Sequence, residues 1–159
     1  YSGAALSPGL WFLWGEIRDR KIHPLLQVCR NLAENGSSVL YISGEESLRQ
    51  IKLRANRIGT FNENLQLLCE TNLDTVREVM ERKKPDVAII DSIQTMFDEE
   101  IGSAPGSVSQ VRESTNILMQ IAKGDGGVHF YCRSCDERRK CGRSEGSGTY
   151  GRYGALFRR

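Results

Sequence analysis

Two carboxylates stand where the sequence changes pattern. Asp91 closes the apolar run "DVAIID", and Glu45 follows the apolar run "SVLYI" within "SVLYISGEES". An acidic residue that ends an apolar strand has the form of a Walker B element, in which the carboxylate orients Mg2+ through water beside nucleotide phosphates. A carboxylate at the end of a neighbouring strand is placed to hold and polarise a water facing the terminal phosphate. Each residue alone also has an ordinary structural use: Asp91 as a strand-end cap, Glu45 as a first-turn acid beside a helix dipole. A third constellation, "HFYCRSCDERRKC", runs from His129 to Cys141 and sets Cys132, Cys135 and Cys141 near His129. Its H-x2-C-x2-C-x5-C spacing offers four zinc ligands, but structural zinc sites more often separate two ligand pairs by a dozen or more residues.

The carboxylates need elements to carry them. "LLQVCRNLAENG" places Leu25, Val28, Cys29 and Leu32 on one helical face and stops at Gly36. "SVLYI" reads as a short buried strand. Ser43 and Glu46 have capping-box spacing for the next helix, whose apolar side is Leu48, Ile51, Leu53, Ala55 and Ile58. "LQLLC" is a second strand. Thr71 and Asp74 open a helix carrying Leu73, Val76, Val79 and Met80 until Pro85, and "DVAIID" is a third strand, apolar as a parallel strand covered on both faces should be. "EEIGSAPGSVSQ" reads as a loop and "VSQVRESTNILMQIAK" as a fourth helix. Such alternation predicts a doubly wound α/β fold, with its ligand site beyond the carboxyl ends of the strands. Glu45 and Asp91 both fall there.

Composition sets the class. The 159 residues suit one domain with a real core, and no apolar run approaches the length of a membrane span. With no secretory signal in view, the expectation is a soluble, cytoplasmic protein without a membrane partner. Five unevenly placed cysteines make no disulfide framework and suit a reducing compartment. The net charge of +2 hides an asymmetry: residues 25–129 carry 11 basic and 15 acidic side chains, whereas residues 130–159 carry 8 basic and 3 acidic ones. Residues 1–24 show no clear period, and residues 124–159 are rich in Gly, Arg, Ser and Cys without an apolar face.

Three stretches, "VLYISGEESLRQIKLRANRIG", "PDVAIIDSIQTMF" and "GSAPGSVSQVRESTNILMQIAK", closely resemble the ATPase domain of the RadA (Sms) family of bacterial DNA repair proteins, RecA-like branch-migration motors. The likeness covers about residues 25–123. It implies a RecA-like P-loop ATPase core with a mostly parallel sheet. It also implies ATP and Mg2+ as cofactors, single-stranded and branched DNA and a recombinase filament as partners, and a homo-oligomeric ring. By that resemblance Glu45 matches the catalytic glutamate, Asp91 the Walker B aspartate and Ser92 the polar residue after it. The segment Asp98 to Ser109 resembles the DNA-facing loop, where flexible Gly102 and Gly106, with Ser103, Ser107, Ser109 and Gln110 as phosphate donors, would suit that role, assisted by Arg112. The family's zinc belongs to an N-terminal module that this chain does not contain.

One part is missing. A phosphate-binding loop supplies backbone N–H groups, a Lys and a Ser or Thr hydroxyl. Where it should lie, the chain reads "WGEIRDRKIHPLLQVC", with no G-x-x-x-x-G-K-[ST] and no glycine between Gly15 and Gly36. Lys21 has no nest of amides around it. Both ends read instead as out-of-frame translations. A codon set for Tyr1 to Arg18, moved by one base, gives V-L-G-G-G-I-V-P-G-S-L-V-L-V-G-G-D-P. A set for Phe130 to Gly146 gives F-I-V-G-H-V-T-K-E-G-N-V-A-G-P-R-V. Residues 1–24 are then a remnant of the phosphate-loop region, 25–123 the core, and 124–159 a tail whose Cys132, Cys135 and Cys141 are artefacts of frame. The expected consequences are an incomplete sheet lacking its first and final strands, exposed apolar edges, and no ATPase activity. The alternative is a zinc-stabilised basic tail that binds nucleic acid on an α/β domain without ATPase activity, its +5 charge over 30 residues supporting salt-sensitive phosphate binding.

Overall fold

The computed structural model describes residues 9–13, 24–124 and 129–133. In chain order the elements are β1 (Gly9–Leu13), α1 (Pro24–Glu34), β2 (Val39–Ser43), α2 (Leu48–Ile58), β3 (Leu65–Cys69), α3 (Leu73–Lys83), β4 (Val87–Asp91), a 3-10 turn (Ile93–Thr95), α4 (Val108–Lys123) and β5 (His129–Arg133). The strands form one parallel sheet in the order β1-β5-β4-β2-β3.

The sheet is more complete than expected. Both end segments supply a strand: β5 lies between β1 and β4, so the expectation that the first and final strands are lacking is corrected. The physical reason lies in what a parallel strand requires. A short run of apolar and aromatic residues suffices, and "GLWFL" and "HFYCR" provide one whatever the origin of the text around them.

Side-chain alternation splits the core into two layers. Leu40, Ile42, Ala88 and Ile90 face α3 and α4, where Leu73, Val76, Met80, Leu118 and Ala122 complete a buried cluster. Val39, Tyr41, Val87 and Ile89 face the other way, onto Leu25, Leu26, Cys29 and Ala33 of α1 and Ile51 of α2. Each fully buried aliphatic side chain in such a layer stabilises by about 1.5–3 kcal/mol relative to exposure. Two residues expected on the inner side of α2 are outside it: Leu48 and Leu53 are exposed, and Ile51 and Ala55 form the buried stripe.

Helix starts differ from the expected caps. Ser47, not Ser43, caps α2, and Gln50 completes the capping box. Ser43 is the last residue of β2, and its Oγ instead accepts from Glu46 N at 3.1 Å to turn the chain. Asn72, one residue past Thr71, caps α3 through Oδ1, which accepts from Asp74 N at 2.8 Å and from Thr75 N. Two carboxylate-to-cation pairs are partly exposed links: Arg30 Nε to Glu34 Oε1 at 2.8 Å within α1, and Arg54 Nη1 to Glu46 Oε1 at 2.6 Å. At this exposure they contribute little.

Candidate functional site

The helices after neighbouring strands β2 and β4 leave to opposite faces of the sheet, α2 to the α1 side and α4 to the α3 side. The carboxyl ends of β2 and β4 therefore frame the crevice position at which doubly wound sheets bind ligands. Ser43 and Asp91 lie opposite each other in register at its floor. The chain crosses the crevice with the N–H of Gly44, which donates to the carbonyl of Asp91 at 3.0 Å.

The predicted residues meet here. Ser92 Oγ donates to Glu45 Oε1 at 2.6 Å across 47 residues of sequence. Asp91 and Ser92 are buried, at 2% and 0% exposure, whereas Glu45 stands exposed at the rim. One carboxylate thus lies in the floor and one at the mouth. The Asp91–Ser92 peptide is cis.

A residue that sequence reading passed over completes the floor. Tyr41 Oη donates to Asp91 Oδ2 at 2.6 Å, and both groups are buried. Tyr41 and Asp91 share a sheet face because β2 pairs with β4 in register, Tyr41 beside Ile89 and Ser43 beside Asp91. The signal was present: a buried tyrosine hydroxyl must find a partner, and the strand itself offered none. Burial, then the Asp91 carboxylate beside it, raises the phenol pKa above its ordinary 10.0. Beneath this pair the buried Cys29 thiol is pushed up from 9.0 to about 12, mainly by burial, with the Asp91 charge adding to it.

The 3-10 turn locks the crevice from the other side. Thr95 Oγ1 donates to the carbonyl of Ser92 at 2.8 Å and packs where a side chain on Gly44 would be, so glycine is required at 44. Phe97 then exchanges backbone hydrogen bonds with the β3–α3 connection, its N–H to Thr71 O and its carbonyl from Leu73 N, each at 2.9 Å.

The residues expected to face nucleic acid are divided. Ser109 and Arg112 are exposed on the first turns of α4, with Arg112 Nε on Glu113 Oε1 at 3.3 Å. Ser107 Oγ caps α4 by accepting from Gln110 N at 3.3 Å. Ser103 Oγ is buried and makes no hydrogen bond with the described residues. Gly106 has φ +76 and Gly102 lies in open space. Gln110, expected as a phosphate donor, is turned inward at 1% exposure and uses its amide within the chain. Of the apparent zinc ligands, His129 and Cys132 lie in β5, while Cys135 and Cys141 fall outside the described residues, as does Lys21.

The oxygen donors of the floor and the rim are hard ligands, which fit Mg2+ rather than a softer ion. Among the described residues no group of three or more His, Cys, Asp or Glu side chains forms a metal cage. Asp91 and Ser92 are the residues that would hold Mg2+ there, together with water and phosphate oxygens, the usual company of Mg2+ at nucleotides.

The topology and the paired acidic residues define a RecA-like α/β core. The crystal structure of the flagellar accessory protein FlaH from Methanocaldococcus jannaschii superposes with a TM-score of 0.52 at 16% identity, covering 80% of this chain and 61% of that one, a likeness of fold alone. No protein-family model matches the chain. Curated relatives are more specific. The chain is 45% identical over 124 residues to DNA repair protein RadA of Bacillus subtilis, and 54% identical over 99 residues to that of Listeria monocytogenes. With RadA of Streptococcus pneumoniae it shares 50% identity over 122 residues, 76% of this chain and 29% of the relative. The matched segment belongs to the family of bacterial DNA repair protein RadA. It takes up 78% of this chain but 27% of the B. subtilis protein, so the chain spans about a quarter of the length of the curated relatives it matches.

Proposed function

We propose that the sequence derives from an ATP-dependent, DNA-binding motor of recombinational repair, and that the polypeptide as written does not hydrolyse ATP. The observation that carries the reading is the junction at the carboxyl ends of β2 and β4, where exposed Glu45 accepts from Ser92 Oγ at 2.6 Å and Ser92 follows buried Asp91 in the chain. When bound, Mg2+ and ATP supply the phosphoanhydride and neutralise its charge. In the intact motor Glu45 would orient the attacking water at the mouth and accept its proton. Asp91, fixed by Tyr41, would help to hold the ion, and Ser92 Oγ holds the Glu45 carboxylate by a hydrogen bond. The loop from Asp98 to Gly106 and the first turns of α4 face single-stranded or branched DNA, and a ring of such cores acts together with a recombinase filament.

Inactivity follows from the absent phosphate loop: nothing in "WGEIRDRKIHP" provides the glycine nest, Lys and hydroxyl that hold β and γ phosphates. We attribute residues 1–24 and 124–159 to out-of-frame translation of a RadA-type reading frame. Two measurements test this. The polypeptide as written should neither bind Mg-ATP tightly nor turn it over. A version with the frame restored across both ends should show DNA-stimulated hydrolysis that Glu45→Gln lowers by 10²-fold or more, in the range of positioned acid–base groups. Turnover by the unrestored chain, or a restored chain indifferent to Glu45→Gln, would refute the reading.

A further inference from the structure

The inward turn of Gln110 has a consequence for the loop before it. Gln110 Nε2 donates to the carbonyls of Asp98 at 3.0 Å, Ser103 at 3.1 Å and Ile101 at 3.4 Å, and its Oε1 accepts from Asp98 N at 3.5 Å. One buried side chain thus reaches both the start and the middle of the segment, and Asp98 is gripped at its N–H and its C=O. The loop's other hydrogen bonds among the described residues are short-range. Within it, Asp98 Oδ1 accepts from Glu100 N at 2.9 Å, and Ile101 N and Ser103 N donate to Asp98 O and Ile101 O at 3.2 and 2.7 Å. Its far end rests on the 3-10 turn: a β-carbon built on Gly106 would lie 3.4 Å from the carbonyl of Gln94.

We propose that Gln110 is a positioning residue that holds the loop from Asp98 to Gly106 closed in advance of any ligand, so that exposed Ser109 and Arg112 and the loop rim form one fixed surface. The functional value of this rests on the reading of that surface as the DNA-facing one. A loop ordered beforehand loses little conformational entropy on binding, whereas a free segment of this length loses roughly 1–2 kcal/mol for each residue fixed. The amide is suited to the task because it donates and accepts at once. A carboxylate of the same shape cannot donate, and would face three carbonyl oxygens with negative charge.

Hydrogen exchange on the full chain tests it, comparing Gln110→Ala and the isosteric Gln110→Glu with the unsubstituted protein. The expected result is exchange at Glu100, Ile101 and Ser103 faster by about tenfold or more, the worth of one to two lost hydrogen bonds, with Ile42 and Ile90 in β2 and β4 unchanged. Loop exchange unaltered in both variants overturns the proposal. So does acceleration of equal size in the loop and in β4, which would make Gln110 a residue of the general core. Should Gln110→Ala fail to fold, Gln110→Glu preserves the shape and gives the decision. The nucleic-acid reading fails separately: an added oligodeoxythymidylate would then leave exchange at Gly102 to Ser109 in the unsubstituted chain unaffected, whatever the Gln110 variants show.

Discussion

Gly44→Ala tests the construction of the crevice with a result whose sign is informative. Gly44 is not in the left-handed region of backbone space, so alanine is conformationally acceptable there. On unfolded-state entropy alone the substitution should stabilise, by about 0.4–1 kcal/mol. The structure predicts the reverse. The new β-carbon would overlap Thr95 Oγ1 outright, approach Thr95 Cβ to 2.7 Å and Thr71 Cγ2 to 3.0 Å. Rotating Thr95 removes only the first clash, and it breaks the hydrogen bond from Thr95 Oγ1 to Ser92 O at 2.8 Å. Overpacking of this kind costs about 1–3 kcal/mol and the lost bond about 0.5–1.5, so the total is about 1.5–4.5 kcal/mol. For a chain of this length that lowers Tm by about 10 °C.

Urea titration of the unsubstituted chain and four variants apportions the effect. Thr95→Ala alone should cost about 1 kcal/mol. Gly44→Ala with Thr95→Ala should remain strained, because the contact between β-carbons persists. Gly44→Ala with Thr95→Gly should relieve most of the strain, leaving the 3.0 Å approach to Thr71 Cγ2 and the added flexibility of the glycine. A neutral or stabilising Gly44→Ala would refute the packing of the 3-10 turn against the β2 end, and with it the placement of Glu45 over Ser92.

Two further outcomes are expected. Tyr41→Phe removes the donor to Asp91 Oδ2 and leaves a buried carboxylate poorer by one hydrogen bond, costing about 1–3 kcal/mol in urea unfolding; an unchanged midpoint would contradict the pairing. Stability should also fall in alkali. The folded state holds the Cys29 proton more tightly than the unfolded one, so this contribution is full below pH 9 and is lost as pH rises from 9.0 towards about 12. The raised Tyr41 pKa acts in the same direction above 10. Cys29→Ala should flatten the slope of the urea midpoint between pH 9 and 10.5, and a slope identical to that of the unsubstituted chain would exclude Cys29 as a source.

The strands β2, β3 and β4 were legible because each is a short apolar run bounded by turn residues, and α4 because its period of 3.6 runs from Val108 to Lys123 without interruption. Other readings failed where a local pattern had two solutions. Ser43 and Glu46 had the spacing of a capping box, but so did Ser47 and Gln50, and the length of β2 decides between them: Ser43 is committed to the sheet. Leu48 and Leu53 fit an apolar helix side on paper, but the face that meets α1 and the sheet is fixed by Ile51 and Ala55. Gln110 had the chemistry of a phosphate donor, and nothing in its neighbours announced that three carbonyls of the preceding loop would converge on it.

By itself, the sequence determined what depends on neighbours along the chain. That includes the alternation of helix and strand, the acidic residues at the two strand ends, and the absence of a glycine-rich phosphate loop. It also carried the family likeness, since motifs are local text. Only the tertiary structure decided which strand lies beside which. With that came the pairing of Tyr41 with Asp91 across 50 residues and of Ser92 with Glu45 across 47. These contacts arise from sheet order and register, which are settled by packing two layers of helices against both faces at once. The same packing drew "GLWFL" and "HFYCR" into the sheet as β1 and β5, because a strand position asks only for an extended segment with apolar or aromatic residues at its centre.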